Sequence, residues 1–139
     1  MNWKLIFLLT IFGVVMAFAG VIGILGKMEF PIWLVIFIIY AVIIVQQTTD
    51  KYFLHAFIVS VINGVWIGII HAAFVRTYLA NNPSMVESYK TMPRLFGNHP
   101  RIIMVIAGPI IGAVTGLVAG LFAFIAGKIM KKKGPAIQQ

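Results

Sequence analysis

The side chains that could do chemistry are few. His55, Asn63 and His71 fall in one apolar stretch, and Gln46 and Gln47 close the stretch before it. An asparagine in the middle of a helix in lipid must bond to protein or to water, because a buried, unpaired amide is costly. Two outcomes are open. One is a helix–helix hydrogen bond, on the order of 0.6 kcal/mol. The other is a polar cavity lined by Asn63, His71, Gln46 and Gln47. His71 lies about two turns beyond Asn63 and about 80° round the helix, so both can border one crevice.

Metal and acid–base chemistry find little support. His55 is about 24 Å from His71 along a helix axis, so the two cannot share a metal, and nothing brings His99 back to them. No Cys is present, which excludes disulfides, thiolate sites and Cys nucleophiles. The acids are Glu29, Asp50 and Glu87, and none lies inside an apolar stretch. Ion- and proton-coupled transporters usually carry a buried ionisable group for the coupling step. Nucleophile-elbow, His-Glu-x-x-His and phosphate-loop motifs are absent. Glu87, Tyr89, His99 and Arg101 could form a set on the long connection, but any connection of that length offers one. The chain is therefore expected to be no enzyme, with no cofactor and no metal.

The elements that position these residues follow from hydropathy. Of 139 residues, 61% are hydrophobic and 10% charged, against about 25% charged in an average soluble domain. Mean hydropathy is +1.02. Four apolar runs give spans of about 5–25, 31–48, 51–76 and 101–128 in a single domain. The runs are rich in β-branched residues, yet lipid admits only helices and closed barrels, and barrel alternation is missing. The expected fold is an all-α integral membrane protein: four transmembrane helices in an antiparallel bundle, plus one short interfacial helix between spans three and four. Lys4, an apolar run and Ala17-Phe18-Ala19 imitate a signal peptide, but the run continues to Leu25, so a retained span is expected.

Local signals punctuate the spans. Gly26 to Phe30 is a polar break, and Pro31 suits a first helical turn. Thr48-Thr49-Asp50 predicts a turn and N-cap for span three. Ser84-Met-Val-Glu87 has the capping-box pattern, with Met85, Tyr89 and Met92 on one face of the short helix and Pro93 ending it. Pro109 predicts a kink near Val105, and Gly134-Pro135 an end to span four.

Two ladders of small residues run at a spacing of four. Gly108, Gly112, Gly116 and Gly120 mark span four; Ser60, Gly64 and Gly68, flanked by Ala56 and Ala72, mark span three. Acyl chains are as apolar as Leu, so helices in lipid associate largely through close backbone contact over such residues. The ladders join spans three and four within a subunit, or join subunits. Gly116, near mid-membrane, is expected to be the least replaceable residue of its span.

A net charge of +8 could signal nucleic acid, but the bases sit at the ends of apolar runs, as headgroup anchors do. No nucleic-acid partner is expected. Lys4, Lys51, Lys128 and Lys131 to Lys133 fall on the side of the termini, six bases, against Lys27, Arg76, Lys90, Arg94 and Arg101, five. The lysine cluster after span four points to both termini being cytoplasmic, in a bacterial inner membrane. So thin a margin also leaves dual insertion open. The expected function is that of an accessory or scaffold subunit, its partners the lipid bilayer and a second copy or another membrane protein. The alternative is an oligomeric channel or transporter for a small neutral or anionic solute, with Asn63 and His71 as polar contacts.

Overall fold

The computed structural model describes residues 1–131. Lys132, Lys133 and the stop expected at Gly134-Pro135 lie outside the described residues, as does the side chain of Lys131. The elements in order are α1 (Trp3–Leu9), α2 (Ile11–Val21), a 3-10 turn (Gly26–Met28), α3 (Glu29–Gln47), α4 (Tyr52–Ala73), α5 (Val75–Asn81), α6 (Pro83–Thr91), α7 (Arg94–Gly97) and α8 (Pro100–Lys131). No strand occurs among the described residues. Four stretches are long and apolar enough to cross a membrane: Trp3–Val21, Gly26–Gln47, Tyr52–Ala73 and Pro100–Met130.

The first stretch begins where Asn2 caps it, its Oδ1 accepting from the Leu5 amide at 3.1 Å. α1 passes into α2 at Thr10, whose hydroxyl donates to Phe7 O at 2.7 Å. α2 stops at Val21, four residues before the apolar run does, because Gly23 turns the chain at φ +74. Only glycine adopts that conformation without a steric penalty. α3 starts at Glu29, so Pro31 sits in its first turn, as expected of a residue that lacks an amide donor.

Thr48-Thr49-Asp50 does not supply the N-cap residue of α4. Lys51 precedes α4 in a left-handed conformation with no side-chain cap, and the Thr48 hydroxyl turns back to Ile44 O at 2.7 Å. The capping box is not made either. The chain enters α6 with Pro83 at the first helical position, which places Ser84 inside the helix. Glu87 instead pairs with Lys90 at 2.8 Å. α8 runs unbroken through Pro109.

The two ladders meet each other. A Cβ built on Gly108 would touch Gly64 O and lie 3.0 Å from Gly68 Cα; one on Gly68 would lie 2.5 Å from Met104 O. One on Gly112 would lie 2.7 Å from Ser60 O, and one on Gly64 2.9 Å from Gly112 Cα. Farther along, Gly116 faces Phe57 and Ser60, Gly120 faces Phe53, and Gly127 faces Tyr52. Numbers fall along α4 as they rise along α8, so this pair runs in opposite senses. A hydroxyl pair, Ser60 with Thr115 at 3.1 Å, joins the same seam.

The approach is tightest at Gly64, Gly68, Gly108 and Gly112, where backbone meets backbone, and looser at Gly116, where the nearest atom is Phe57 Cδ2 at 3.0 Å. The expectation that Gly116 is least replaceable is therefore corrected. Centring the span in a bilayer located the middle of α8, but the crossing point follows from where α4 meets it. Ala119 and Ala123, fully buried on another side of α8, pack in one core with Phe37, Tyr40 and Ile44 of α3 and Ile6 and Leu9 of α1. Small residues thus seat α8 against both α4 and α3.

Candidate functional site

The polar groups of the four long helices divide among three depths. Midway along α4, Asn63 is 1% exposed. Its Nδ2 donates to the Tyr40 hydroxyl at 2.7 Å, and that hydroxyl donates to Leu9 O at 3.3 Å. One hydrogen-bonded chain therefore ties α4 to α3 and α3 to α1. Gly13 of α2 lies against the Asn63 side chain, and any Cβ there would overlap it. Asn63 Oδ1 faces this contact and has no hydrogen-bond partner.

At the end away from the N-terminus, His71 Nε2 bonds to Ala17 O of α2 at 3.2 Å. Only a protonated ring nitrogen can donate to a carbonyl, so this bond puts the proton on Nε2. The ring stacks on Tyr78 of α5 with centroids 4.1 Å apart. A crevice of about 110 Å³ lies beside it, with Gly68 and Gly108 on one wall and Met85 and Tyr89 of α6 on another. That is room for a few waters at about 30 Å³ each. Burial pushes the Tyr78 hydroxyl up to about 12, helped by the charge of Glu29 and then by Tyr89. The crevice thus offers hydrogen-bonding groups, the imidazole of His71 and the phenols of Tyr78 and Tyr89.

At the other end, His55 Nε2 accepts the Asn2 amide at 3.0 Å, and Nδ1 donates to Lys51 O at 2.9 Å. Both ring nitrogens are thereby used in holding the N-terminus to the α3–α4 turn. Gln46 and Gln47 are exposed at this end, and Gln47 borders an open depression of about 520 Å³ with Trp3, Lys4, Asp50 and His55.

The four residues expected to line one cavity are therefore placed apart: Asn63 in mid-bundle, His71 towards one end, Gln46 and Gln47 at the other. Among the described residues no group of three or more His, Cys, Asp or Glu could hold a metal ion.

Sequence reasoning missed the residues that complete these contacts. Tyr40 carries the only side-chain hydroxyl of α3, and it was legible as a partner for Asn63 had a donor or acceptor been sought across the bundle. Asn81 and Asn82 read only as loop. In the structure Asn81 Nδ2 donates to Val21 O at 3.0 Å, and Asn82 Nδ2 to Gly20 O at 2.9 Å and Tyr78 O at 2.8 Å. The last carbonyls of a helix lack partners within it, and these two amides supply them to α2. Compared with protein-family models, with curated proteins and with solved structures, the chain has no match.

Proposed function

We propose that this is a non-enzymatic polytopic membrane protein that works through its surfaces, as an accessory or scaffold subunit. The observation that carries this reading is how the polar side chains of the long helices are engaged. Asn63 is closed in and bonded to Tyr40, and His71 bonds to the α2 backbone. Groups used in this way hold helices together rather than escort a solute. The glycine ladders face each other, so a partner would meet a different surface. The outer side of α8 offers one, with Ile106, Ile110, Val114, Leu117 and Leu121 all exposed. On this reading the four long helices cross the bilayer, both termini are cytoplasmic, and a second copy or another membrane protein covers part of that apolar side.

Permeation of a small neutral or anionic solute is kept as a second reading for one reason. Asn63 Oδ1 is a buried acceptor without a donor, and a water or a passing solute could satisfy it. Proteoliposomes separate the two. Vesicles holding the wild-type chain should show no flux of ions, water or small solutes above empty vesicles, and Asn63→Leu should change stability by about 1 kcal/mol or less. A wild-type flux that Asn63→Leu abolishes, with the fold intact, would replace the scaffold reading by the permeation one.

A further inference from the structure

The segment between α4 and α8 carries a surface that neither the bundle nor the proposed scaffold role uses. α7 is one turn of helix, Arg94–Gly97, set three residues before α8 begins. It is pinned from behind: a Cβ on Gly97 would lie 2.7 Å from Tyr89 O, so the turn sits directly on the end of α6. Its other side is open. Leu95 is 74% exposed, the most exposed of the large apolar side chains among the described residues, and Phe96 beside it is also exposed. Arg94 precedes them and Arg101 follows, both exposed.

The charge around them is one-sided. From residue 76 to residue 101 the bases are Arg76, Lys90, Arg94 and Arg101, and the single acid is Glu87. Glu87 is already paired with Lys90 at 2.8 Å, the one salt bridge among the described residues. Two open depressions lie here, one bordering α7 and one at the entrance to α8. One, of about 290 Å³, has Lys90 and Arg94 in its wall; the other, of about 410 Å³, has His99 and Arg101.

We propose that α7 and the entrance to α8 form a contact for anionic phospholipid, with Leu95 and Phe96 in the headgroup–acyl boundary and Arg94 and Arg101 on lipid phosphates. The inference rests on the reading that the four long helices cross a bilayer. α8 is apolar from Ile102 onward, so α7 lies at the depth where that helix would enter the hydrocarbon. Apolar side chains are favoured there and basic side chains meet phosphate. A water-facing turn would gain nothing from a Leu-Phe pair standing out between two arginines. Guanidinium groups suit phosphate because their planar fork donates two parallel hydrogen bonds.

The test uses the intact chain, which has no native Cys, so single cysteines label cleanly. Leu95→Cys and, as a control on the exposed side of α3, Ile38→Cys are labelled with a fluorophore. They are reconstituted in phosphatidylcholine vesicles with or without phosphatidylglycerol. Tail-brominated lipid should quench both labels, and aqueous iodide neither. Phosphatidylglycerol should strengthen the quenching at Leu95 only. In native mass spectrometry of the same samples, Arg94→Gln and Arg101→Gln should each lower the retained phosphatidylglycerol-to-phosphatidylcholine ratio about fivefold at low salt. A Leu95 label open to iodide, one shielded from both quenchers by a protein contact, or a lipid ratio indifferent to the two arginines overturns the proposal. If the Ile38 label is quenched and the Leu95 label is not, this inference alone fails. If neither is quenched, the membrane-spanning reading fails with it.

Discussion

Gly108, Gly116 and Gly120 look equivalent in sequence, yet what each meets differs in kind. Around Gly108 the neighbours are the backbones of Gly64 and Gly68, which cannot move without parting the helices; at Gly120 the neighbour is the Phe53 ring, which is exposed and can swing away. Gly108→Ala should therefore cost about 1–3 kcal/mol, as overpacking of a close contact does, and Gly120→Ala much less, with Gly116→Ala between them. Thermal unfolding in detergent reads the order, and a larger loss at Gly120 than at Gly108 would put the crossing point elsewhere. Asn63 and Tyr40 permit a second measurement. A double-mutant cycle with Asn63→Leu and Tyr40→Phe should return a coupling on the order of 0.6 kcal/mol, whereas zero would remove the bond from the account. Tyr78 gives the pH response. Its hydroxyl ionises near 10.0 in the unfolded chain and near 12 in the folded one, so the folded state holds the proton more tightly. That contribution is full below pH 10 and lost as pH rises to 12. Tyr78→Phe should lessen the fall of melting temperature across this window; an unchanged slope would contradict the burial of the hydroxyl.

Asn81 and Asn82 act on an element rather than on a neighbour. Each fastens the end of α5 to carbonyls at the end of α2, and Asn82 also bonds to Tyr78 O within its own turn. Removing one such bond costs about 1 kcal/mol, but its visible consequence is local opening. Asn82→Ala should raise amide exchange across α5 and α6 and at the end of α2, while the middle of α4 stays protected. Ser84→Ala is the control drawn from the pattern that did not form: Ser84 lies inside α6 and is not its cap, so exchange and stability should stay as they are. A strong effect at Ser84 and none at Asn82 would reverse the assignment of the α6 boundary.

For the molecule as a whole, the proposal that the four long helices cross a bilayer carries an orientation. Asn81 and Asn82 bind α5 to the end of α2, and α6 and α7 follow directly, so that end carries Lys27, Arg76, Lys90, Arg94 and Arg101. The α3–α4 turn with Asp50 belongs to the end of the N-terminus, to which His55 ties Asn2. Single cysteines at Ser88 and Asp50 should therefore label from opposite sides of a sealed membrane, Asp50 from the cytoplasm. Ser88 labelled only from the cytoplasm would invert the orientation, and both positions labelled from both sides would show dual insertion.

Four helical stretches and their order could be read from hydropathy, because length and apolarity are properties of consecutive residues. Ser60, Gly64 and Gly68 and the glycines of α8 were recognisable as packing surfaces for the same reason. What they pack against was not, since a ridge of missing side chains fits any equally bare ridge. Only the assembled bundle set Gly64 on Gly108 and moved the closest approach away from Gly116. The polar residues divide in the same way. That Asn63 needs a partner follows from burying an amide. That the partner is Tyr40, twenty-three residues earlier, follows from how α3 lies beside α4. Ser84 and Asp50 show the converse. Capping patterns state what a side chain can do locally, and Pro83 and the left-handed Lys51 set where those helices begin. Asn81 and Asn82 had no local task to betray them, because the carbonyls they satisfy are supplied by a helix about sixty residues away, and only the fold brings them within reach.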